Sequence, residues 1–174
     1  LRVAPNGAGS GFGAFAYYRI DQVIEHGARL LCGLNKDVTV SFWARSSIAN
    51  KKIGLGLRQN YGSGGSPSAE EQINGTNWTL TSTWTKYSHT FPTNTLSGKT
   101  FGTDNNDSLI PALFLMWDND TWAAQVGAGS TPEDFVGSGN IDIAQIKIEA
   151  GSQDTGFEPL SFSEEMQSCL RYYE

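Results

Sequence analysis

The sequence feature that most constrains the fold is a segment in which apolar and other side chains strictly alternate. Residues 38–45 read VTVSFWAR, so every second side chain from Val38 to Ala44 is apolar. Trp43 and Arg45 belong to the other set. Successive side chains of a β-strand point to opposite faces of a sheet, so this period of two predicts a half-buried strand.

A second segment, KIGLGLRQ at 52–59, follows the same rule with a different outer face. Its apolar side chains start at Ile53, whereas Gly54, Gly56 and Arg58 fall on the opposite face. Glycine on the outside of a strand leaves a shallow trough. We therefore expect another stretch of backbone, or a ligand, to approach the strand closely at this point.

Further segments are rich in β-branched and aromatic residues, which favour strands. They are 15–25, for which a helix is the alternative, 78–81, 86–91, 109–117 and 141–149. In the last of these, alternation places Ala144, Ile146 and Ile148 on one face. Glycine makes up 20 of the 174 residues, about 11%, against an average near 7%. Many short strands joined by turn-rich loops predict an all-β fold, an antiparallel jelly-roll β-sandwich.

The C-terminus has a different pattern. Ser161 followed by Glu164 fits a capping box, and apolar residues then recur at helical spacing from Met166 to Tyr173. We predict a β-sandwich module over 1–160, and a short helix or linker over 161–174 that docks on the sandwich or leads into a further domain. The chain does not begin with Met, so we expect a processed product or part of something longer.

Composition excludes several classes of function. The net charge is −6 and no cluster of Lys and Arg is present, which argues against binding to nucleic acid or to an anionic membrane surface. The longest apolar run has nine residues, 109–117, whereas a spanning helix needs about 20. We expect no membrane insertion. The two cysteines, Cys32 and Cys169, are too few for a disulfide framework.

No catalytic motif stands out, and we expect the chain not to be an enzyme. A glycosidase pair is the alternative, with Glu25, Asp142 and Glu149 as the candidate carboxylates on strands. The acidic stretch WDND at 117–120 is interpreted as a solvated turn or as a structural Ca²⁺ site, because Ca²⁺ takes carboxylate and carbonyl oxygens. No other cofactor is indicated.

The aromatic residues carry the most information about function. Trp43 lies on the outer face of its strand beside Arg45. Flat aromatic rings stack on the apolar faces of sugars, and a few polar groups then select the ligand. We predict a glycan site on a sheet face bearing Trp43, Arg45 and Arg58, rimmed by Tyr61 and Trp117. The alternative is that Trp43 packs under a loop or at a subunit interface, and Trp84 is interpreted as core or edge packing.

Six stretches, in this order, together resemble a family of jelly-roll modules in bacteriophage tail fibres and tailspikes. They are YRIDQVIE (18–25), DVTVSFWARSS (37–47), LRQNYGSGGSPSAE (57–70), TLTSTWTKYSHTF (79–91), IDIAQIKIEAGSQDTGFEP (141–159) and EEMQSCLRYYE (164–174). The last two are the most specific. The chain departs from the family in two places. The family often begins with an additional N-terminal strand, and we expect the sequence here to start just after the position of that strand. IKIE (146–149) stands where the family more often has VQLE.

The resemblance implies a non-catalytic sandwich like those of carbohydrate-binding modules. Such modules lie on the virion, outside the cell, and are thought to recognise polysaccharide on the surface of the host. Family fibres are usually homotrimers, and some related sandwiches hold a structural Ca²⁺. The resemblance transfers no sugar-binding residues. It leaves open whether the module binds a glycan or acts as a structural spacer or trimerisation unit of the same fibre.

Overall fold

The computed structural model describes residues 1–7, 15–118, 121–133 and 137–170. These ranges contain nine strands and three short helices. In chain order they are β1 (Arg2–Val3), β2 (Tyr17–Asp21), β3 (Ile24–Glu25), α1 (Gly27–Leu31), β4 (Asp37–Ser46), β5 (Lys52–Asn60), β6 (Glu71–Thr79), β7 (Thr85–Pro92), β8 (Ser108–Trp117), α2 (Thr121–Gln125), β9 (Ile141–Ala150) and α3 (Phe162–Leu170).

The strands form two antiparallel sheets that pack face to face. The first sheet has the order β1-β9-β4-β7, and the second has the order β2-β8-β5-β6, with β3 also pairing with β8. The chain changes sheet between β1 and β2, between β3 and β4, between β4 and β5, between β6 and β7, and again on either side of β8. Strands distant in sequence thereby become neighbours, as β4 and β9 do. The predicted antiparallel jelly-roll sandwich is confirmed.

The hydrophobic core lies between the two sheets and follows the alternation of the sequence. Val38, Val40, Phe42 and Ala44 of β4, and Ile53, Leu55 and Leu57 of β5, are all at most 1% exposed. Burying a side chain of this size contributes about 1.5–3 kcal/mol. A shift of either strand by one residue would turn this whole set towards solvent, so the alternation also sets the register.

The glycine trough on β5 is filled by the chain itself. A Cβ atom on Gly54 would lie 2.4 Å from Cγ1 of Val126, and one on Gly56 would lie 3.1 Å from the backbone oxygen of Gln125. α2 and the residue after it therefore rest directly on the second sheet. They enclose a second apolar cluster of Ala112, Phe114, Trp117, Ala123 and Val126. The predicted close approach is confirmed, and the approaching group is a helix.

Strand β9 departs from simple alternation. Val40 pairs with Ile148 and Trp43 pairs with Ala144, so β9 contains one residue more than β4 between these two pairs. Gln145 has a φ of 51°, which marks the bulge. Ala144 therefore faces outwards with Trp43, whereas Ile148 faces inwards with Val40. The prediction that Ala144 shares a face with Ile146 and Ile148 is wrong, because a bulge reverses the alternation.

A buried ion pair joins the start of β5 to the segment that follows α2. The Nζ atom of Lys51 donates to Oε1 of Glu133 at 2.9 Å and to the backbone oxygen of Leu115 at 2.5 Å. Both charged side chains are at most 5% exposed. Burial lowers the pKa of Lys51, and the charge of Glu133 opposes this shift.

The C-terminal helix forms as the capping box predicts. The backbone N–H of Ser161 donates to Oε2 of Glu164 at 2.9 Å, and the hydroxyl of Ser161 accepts from the backbone N–H of Glu164 at 3.4 Å. No side chain of α3 is buried, and Phe162 is 77% exposed. The helix does not dock on the sandwich, and Tyr173 lies outside the described residues. The described helices have at most nine residues, so none of them could span a bilayer.

The contact between Gly54 and Val126 can be tested by substitution. We expect Gly54→Ala to lower the free energy of unfolding by about 1–3 kcal/mol, because the added methyl group overlaps Val126. Adding Val126→Ala removes the overlapping methyl groups, so the double variant will be more stable than the sum of the two single changes implies. Urea unfolding of the four proteins measures this coupling. A Gly54→Ala protein as stable as the parent would contradict the described packing.

Candidate functional site

The outer face of the first sheet carries the outward side chains of β4. Trp43 lies opposite Lys86 of β7 and Ala144 of β9. Arg45 is two residues further along the same strand and lies opposite Asp142 of β9. Strand alternation thus brings Trp43 and Arg45 together on one face, as the sequence predicts.

An open depression lies at the Trp43 end of this face. Its volume is about 330 Å³, and Trp43, Trp84, Ala144 and Gln145 line it. Trp84 lies just before β7 and is 41% exposed, whereas Trp43 is half-buried. We call this the tryptophan depression. Trp84, predicted from the sequence to be core or edge packing, lines this depression. Gln145 reaches the face because the β9 bulge lies there.

A second depression adjoins it at the edge of the sheet. Its volume is about 260 Å³, and its lining consists of Arg2, Arg45, Ser46, Ser47, Ser82, Asn140 and Asp142. We call this the arginine depression. Arg45 connects the two depressions, because its Cζ atom lies 4.9 Å from the centre of the Trp84 ring. A guanidinium at this distance makes a cation–π contact that holds the ring in place.

Two guanidinium groups share the carboxylate of Asp142. Arg2 donates from Nε to Oδ1 at 2.6 Å and from Nη2 to Oδ2 at 3.0 Å. Arg45 donates from Nε to Oδ2 at 3.0 Å. The hydrogen bond from Arg2 lowers the pKa of Asp142 to about 2, with that from Arg45 adding to the effect. The carboxylate is therefore ionised at any physiological pH, and the arginine beside Trp84 is held in a defined position.

The opposite end of the same face is covered by the chain that follows β9. The hydroxyl of Thr39 donates to the backbone oxygen of Gly151 at 2.7 Å. The same segment reaches back to Lys86, the neighbour of Trp43 on β7, whose Nζ atom contacts Oδ1 of Asp154 at 2.7 Å. Thr39 and Ser41 are consequently at most 2% exposed. The hydrogen bond from Lys86 also lowers the pKa of Asp154. Within the part of the chain that the structure describes, this segment leaves the Trp43 and Arg45 end of the face accessible to a ligand.

The structure does not bring the other three predicted site residues to this face. Arg58 lies on β5 in the second sheet, where its Nη2 atom contacts Oδ2 of Asp21 at 2.5 Å. The two sheets pack through their inner faces, so the outer side of β5 and the Trp43 face are on opposite sides of the molecule. The prediction that Arg58 and Trp43 share one surface is wrong, because β4 and β5 belong to different sheets.

Tyr61 and Trp117 are both buried, so neither forms a rim. Tyr61 is 1% exposed, its hydroxyl donates to Glu71, and burial raises its pKa. Trp117 is fully buried in the cluster beneath α2, and its Nε1 atom donates to the backbone oxygen of Thr131 at 3.0 Å. The prediction that these two aromatic residues border an open glycan site is wrong.

The three candidate carboxylates do not form a glycosidase pair. Asp142 and Glu149 lie on β9, seven residues apart, which corresponds to roughly 20 Å at about 3.3 Å per residue. Paired catalytic carboxylates are separated by about 5–9.5 Å. Glu25 lies on β3 in the second sheet and shares a face with neither. Hydrogen bonds from Thr155 lower the pKa of Glu149.

The predicted Ca²⁺ site at 117–120 falls partly outside the described residues, which omit 119 and 120. Asp118 is buried, and its Oδ1 atom accepts a hydrogen bond from the backbone N–H of Trp122 in α2. Across 1–7, 15–118, 121–133 and 137–170, no three side chains of His, Cys, Asp or Glu are grouped to hold a metal ion. A Ca²⁺ site that includes 119 and 120 remains a prediction.

Comparison with known proteins gives distant structural similarities. No protein-family model matches the chain, and no curated protein does. A solved structure described as "CBM4 structure and function" is 18% identical with a TM-score of 0.43, covering 86% of this chain and 82% of that chain. The CBM22-1 xylan-binding domain of Xyn10C from Paenibacillus barcinonensis is 9% identical with a TM-score of 0.34, covering 85% of this chain and 92% of that chain. Both TM-scores are below 0.5, so these similarities give no information about function, which must be inferred from the geometry of the site.

The arginine contacts of Asp142 predict an acid-resistant carboxylate. NMR titration of the Asp142 side chain is expected to give a pKa of about 2, and Arg45→Gln is expected to raise it. Because the folded pKa lies below the ordinary value of 3.8, the ion pairs stabilise the fold above that value and are lost as pH falls towards 2. Arg58→Gln, on the other sheet, is the control and will leave this pKa unchanged. A wild-type pKa near 4 would contradict the described contacts.

Trp117 is expected to affect stability. Trp117→Ala leaves a cavity beneath α2, so we expect the free energy of unfolding to fall by about 3–5 kcal/mol. Trp84→Ala changes a partly exposed ring and will cost about 1 kcal/mol or less. Chemical denaturation of both variants measures the difference. Equal losses would show that Trp117 is not a core residue.

Proposed function

We propose that this chain is a non-catalytic module that binds polysaccharide through the tryptophan depression. The observation that carries the proposal is the pair Trp43 and Trp84, which line an open depression on the outside of the first sheet. The half-buried ring of Trp43 and the 41% exposed ring of Trp84 leave apolar surface in contact with water. A ligand with a flat apolar face and a polar edge is suited to cover that surface.

A sugar ring has this combination of surfaces. Its C–H groups stack on an indole ring, and its hydroxyl groups remain at the edge for hydrogen bonding. The amide of Gln145 and the guanidinium of Arg45 lie beside the two rings. A few polar groups around an apolar platform are the usual arrangement of a small-ligand site. The depression is shallow and open, which suits a segment of a long polymer.

We place the module in a bacteriophage tail fibre or tailspike, displayed on the virion and recognising polysaccharide on the host surface. The support is the resemblance of six sequence stretches spread over nearly the whole chain, the most specific being 141–159 and 164–174. In this proposal the partners are a host glycan and other subunits of a homotrimeric fibre. The proposal requires no nucleophile, metal triad or phosphate site.

A structural role in the same fibre is the second candidate, and α3 favours it. Phe162, Met166 and Leu170 are between 46% and 77% exposed on this helix. Exposed apolar side chains at helical spacing are typical of a surface that another chain covers. In this alternative the module is a spacer or trimerisation unit, and Trp43 and Trp84 contact a neighbouring subunit.

Substitution of the two tryptophans tests the glycan site. We expect Trp43→Ala and Trp84→Ala each to weaken polysaccharide binding about tenfold or more, because the stacking surface is lost. The matched control is Phe162→Ala, which removes an exposed aromatic ring from α3 and will leave binding unchanged. Glycan-array binding and titration calorimetry supply the affinities, and circular dichroism checks the fold. Binding that survives both tryptophan substitutions would overturn the proposed site.

Both candidates allow a trimer in solution, so the exposure of Trp43 and Trp84 in the assembled protein separates them. If the structural role is correct, sedimentation will show a trimer that protects both tryptophans from chemical modification, and no glycan will bind. If the glycan site is correct, both tryptophans will remain reactive in the assembly until polysaccharide is added.

A further inference from the structure

We propose that the polysaccharide is acidic, with a carboxylate-bearing sugar in the arginine depression next to the sugar stacked in the tryptophan depression. This inference rests on the proposed function, and it adds the chemical class of the ligand. It depends on three properties of the arginine depression: its position, its charge and its hydrogen-bonding groups.

The first property is position. Trp43 and Arg45 are alternate residues of β4, and their partners on β9, Ala144 and Asp142, are alternate residues too. The two depressions therefore follow one another along the same pair of strands, about 7 Å apart. Arg45 lines one depression while stacking on Trp84 of the other. Neighbouring sugars of one polymer can thus occupy both depressions.

The second property is charge. Two guanidinium groups, Arg2 and Arg45, face the single carboxylate of Asp142, so one positive charge is left over. The carboxylate is 11% exposed, whereas the side chains of Arg2 and Arg45 are 58% and 39% exposed. The accessible charge in this depression is therefore positive. Beside Trp43 on the same face, Lys86 is matched one-to-one by Asp154, and further along the face Lys147 is matched by Glu149. The excess positive charge is therefore local to the arginine depression.

The geometry of Arg45 also favours an anion. Among the described residues, Arg45 hydrogen-bonds only through Nε, to Asp142. The Nη groups that remain can donate in parallel to a second carboxylate, which is the arrangement that guanidinium groups prefer. Because the Nε bond and the Trp84 ring already hold the side chain, little conformational entropy is lost when the ligand binds.

The third property is the presence of neutral hydrogen-bonding groups. The backbone of Asn140 is held in place, since its N–H donates to the Ser47 hydroxyl at 2.8 Å and its oxygen accepts from the Ser47 N–H at 2.9 Å. No hydrogen bond joins the Asn140 side-chain amide to another of the described residues, so this amide can bond a ligand. The hydroxyl of Ser82 lines the same depression. Together they supply the donors and acceptors that sugar hydroxyls need beside the carboxylate.

The overall charge of −6 does not oppose this assignment. At physiological ionic strength, exposed charges are screened over about 8 Å. A polymer carboxylate in the arginine depression is therefore governed by Arg2, Arg45 and Asp142 rather than by carboxylates on the other sheet. The same screening predicts that binding weakens as salt rises.

The test compares polysaccharides that differ only in their carboxyl groups. Alginate, polygalacturonate, hyaluronan and xanthan are each presented with their carboxyl-reduced forms to the full chain by biolayer interferometry. We expect at least one acidic polymer to bind about tenfold or more tightly than its reduced form. Arg45→Gln will remove most of that preference, whereas Arg58→Gln, which removes the same charge from the other sheet, will preserve it. Trp43→Ala will weaken both forms.

Each outcome decides between the two proposals. Equal binding of acidic and reduced polymers, or a preference that Arg45→Gln leaves intact, overturns the acidic ligand while the tryptophan site stands. An equal loss with Arg58→Gln also overturns it, because the effect would then come from overall charge. Failure of every polymer, acidic and reduced, to bind the wild-type chain overturns the proposed function itself. Melting curves confirm that each variant is folded.

Discussion

The antiparallel pairing of β4 with β9 is the contact on which both the core and the candidate site depend. These strands lie far apart in the sequence, and they pair as the two central strands of the first sheet. On the inner face it places Val40 against Ile148 in the core. On the outer face it places Arg45 against Asp142, and it is the carboxylate of Asp142 that holds two arginines in position. The site is thus a consequence of the same register that buries the core.

The bulge in β9 lets the strand contribute side chains both to the core and to the candidate site. One extra residue between the pairs Val40–Ile148 and Trp43–Ala144 lets β9 present apolar side chains inwards on both sides of the irregularity. It also puts Gln145, with its left-handed backbone, beside Trp43 and Trp84. Bulges frequently re-aim a side chain next to a functional site. The segment that follows β9 then folds back over Thr39, which confines the accessible face to the end with Trp43 and Arg45.

Much of the fold was predictable, whereas the composition of the site was only partly so. Alternation in β4 and β5 identified the core residues, because period two is a local property of strands. Strand β6 begins at Glu71, whereas the sequence predicted a strand only from Trp78. The earlier part was missed because the irregular pairing around Gly75 interrupts the alternation of apolar and polar side chains. Trp43 and Arg45 were grouped correctly because they share a strand. Trp84 was assigned to packing, since its exposure depends on a turn that lies next to Arg45 only in the folded chain.

What the sequence determined by itself is the class of fold, the inward and outward faces of each regular strand, and the helix at the C-terminus. These follow from local periodicity and capping, which act over a few residues. Tertiary structure decided which strands share a sheet, and this separated Arg58 from Trp43 and buried Tyr61 and Trp117. The physical reason is that sheet pairing and burial depend on contacts between residues distant in the chain. Alternation assigns a side chain to a face, and only the assembled sandwich decides whether that face meets the core, a helix or a ligand.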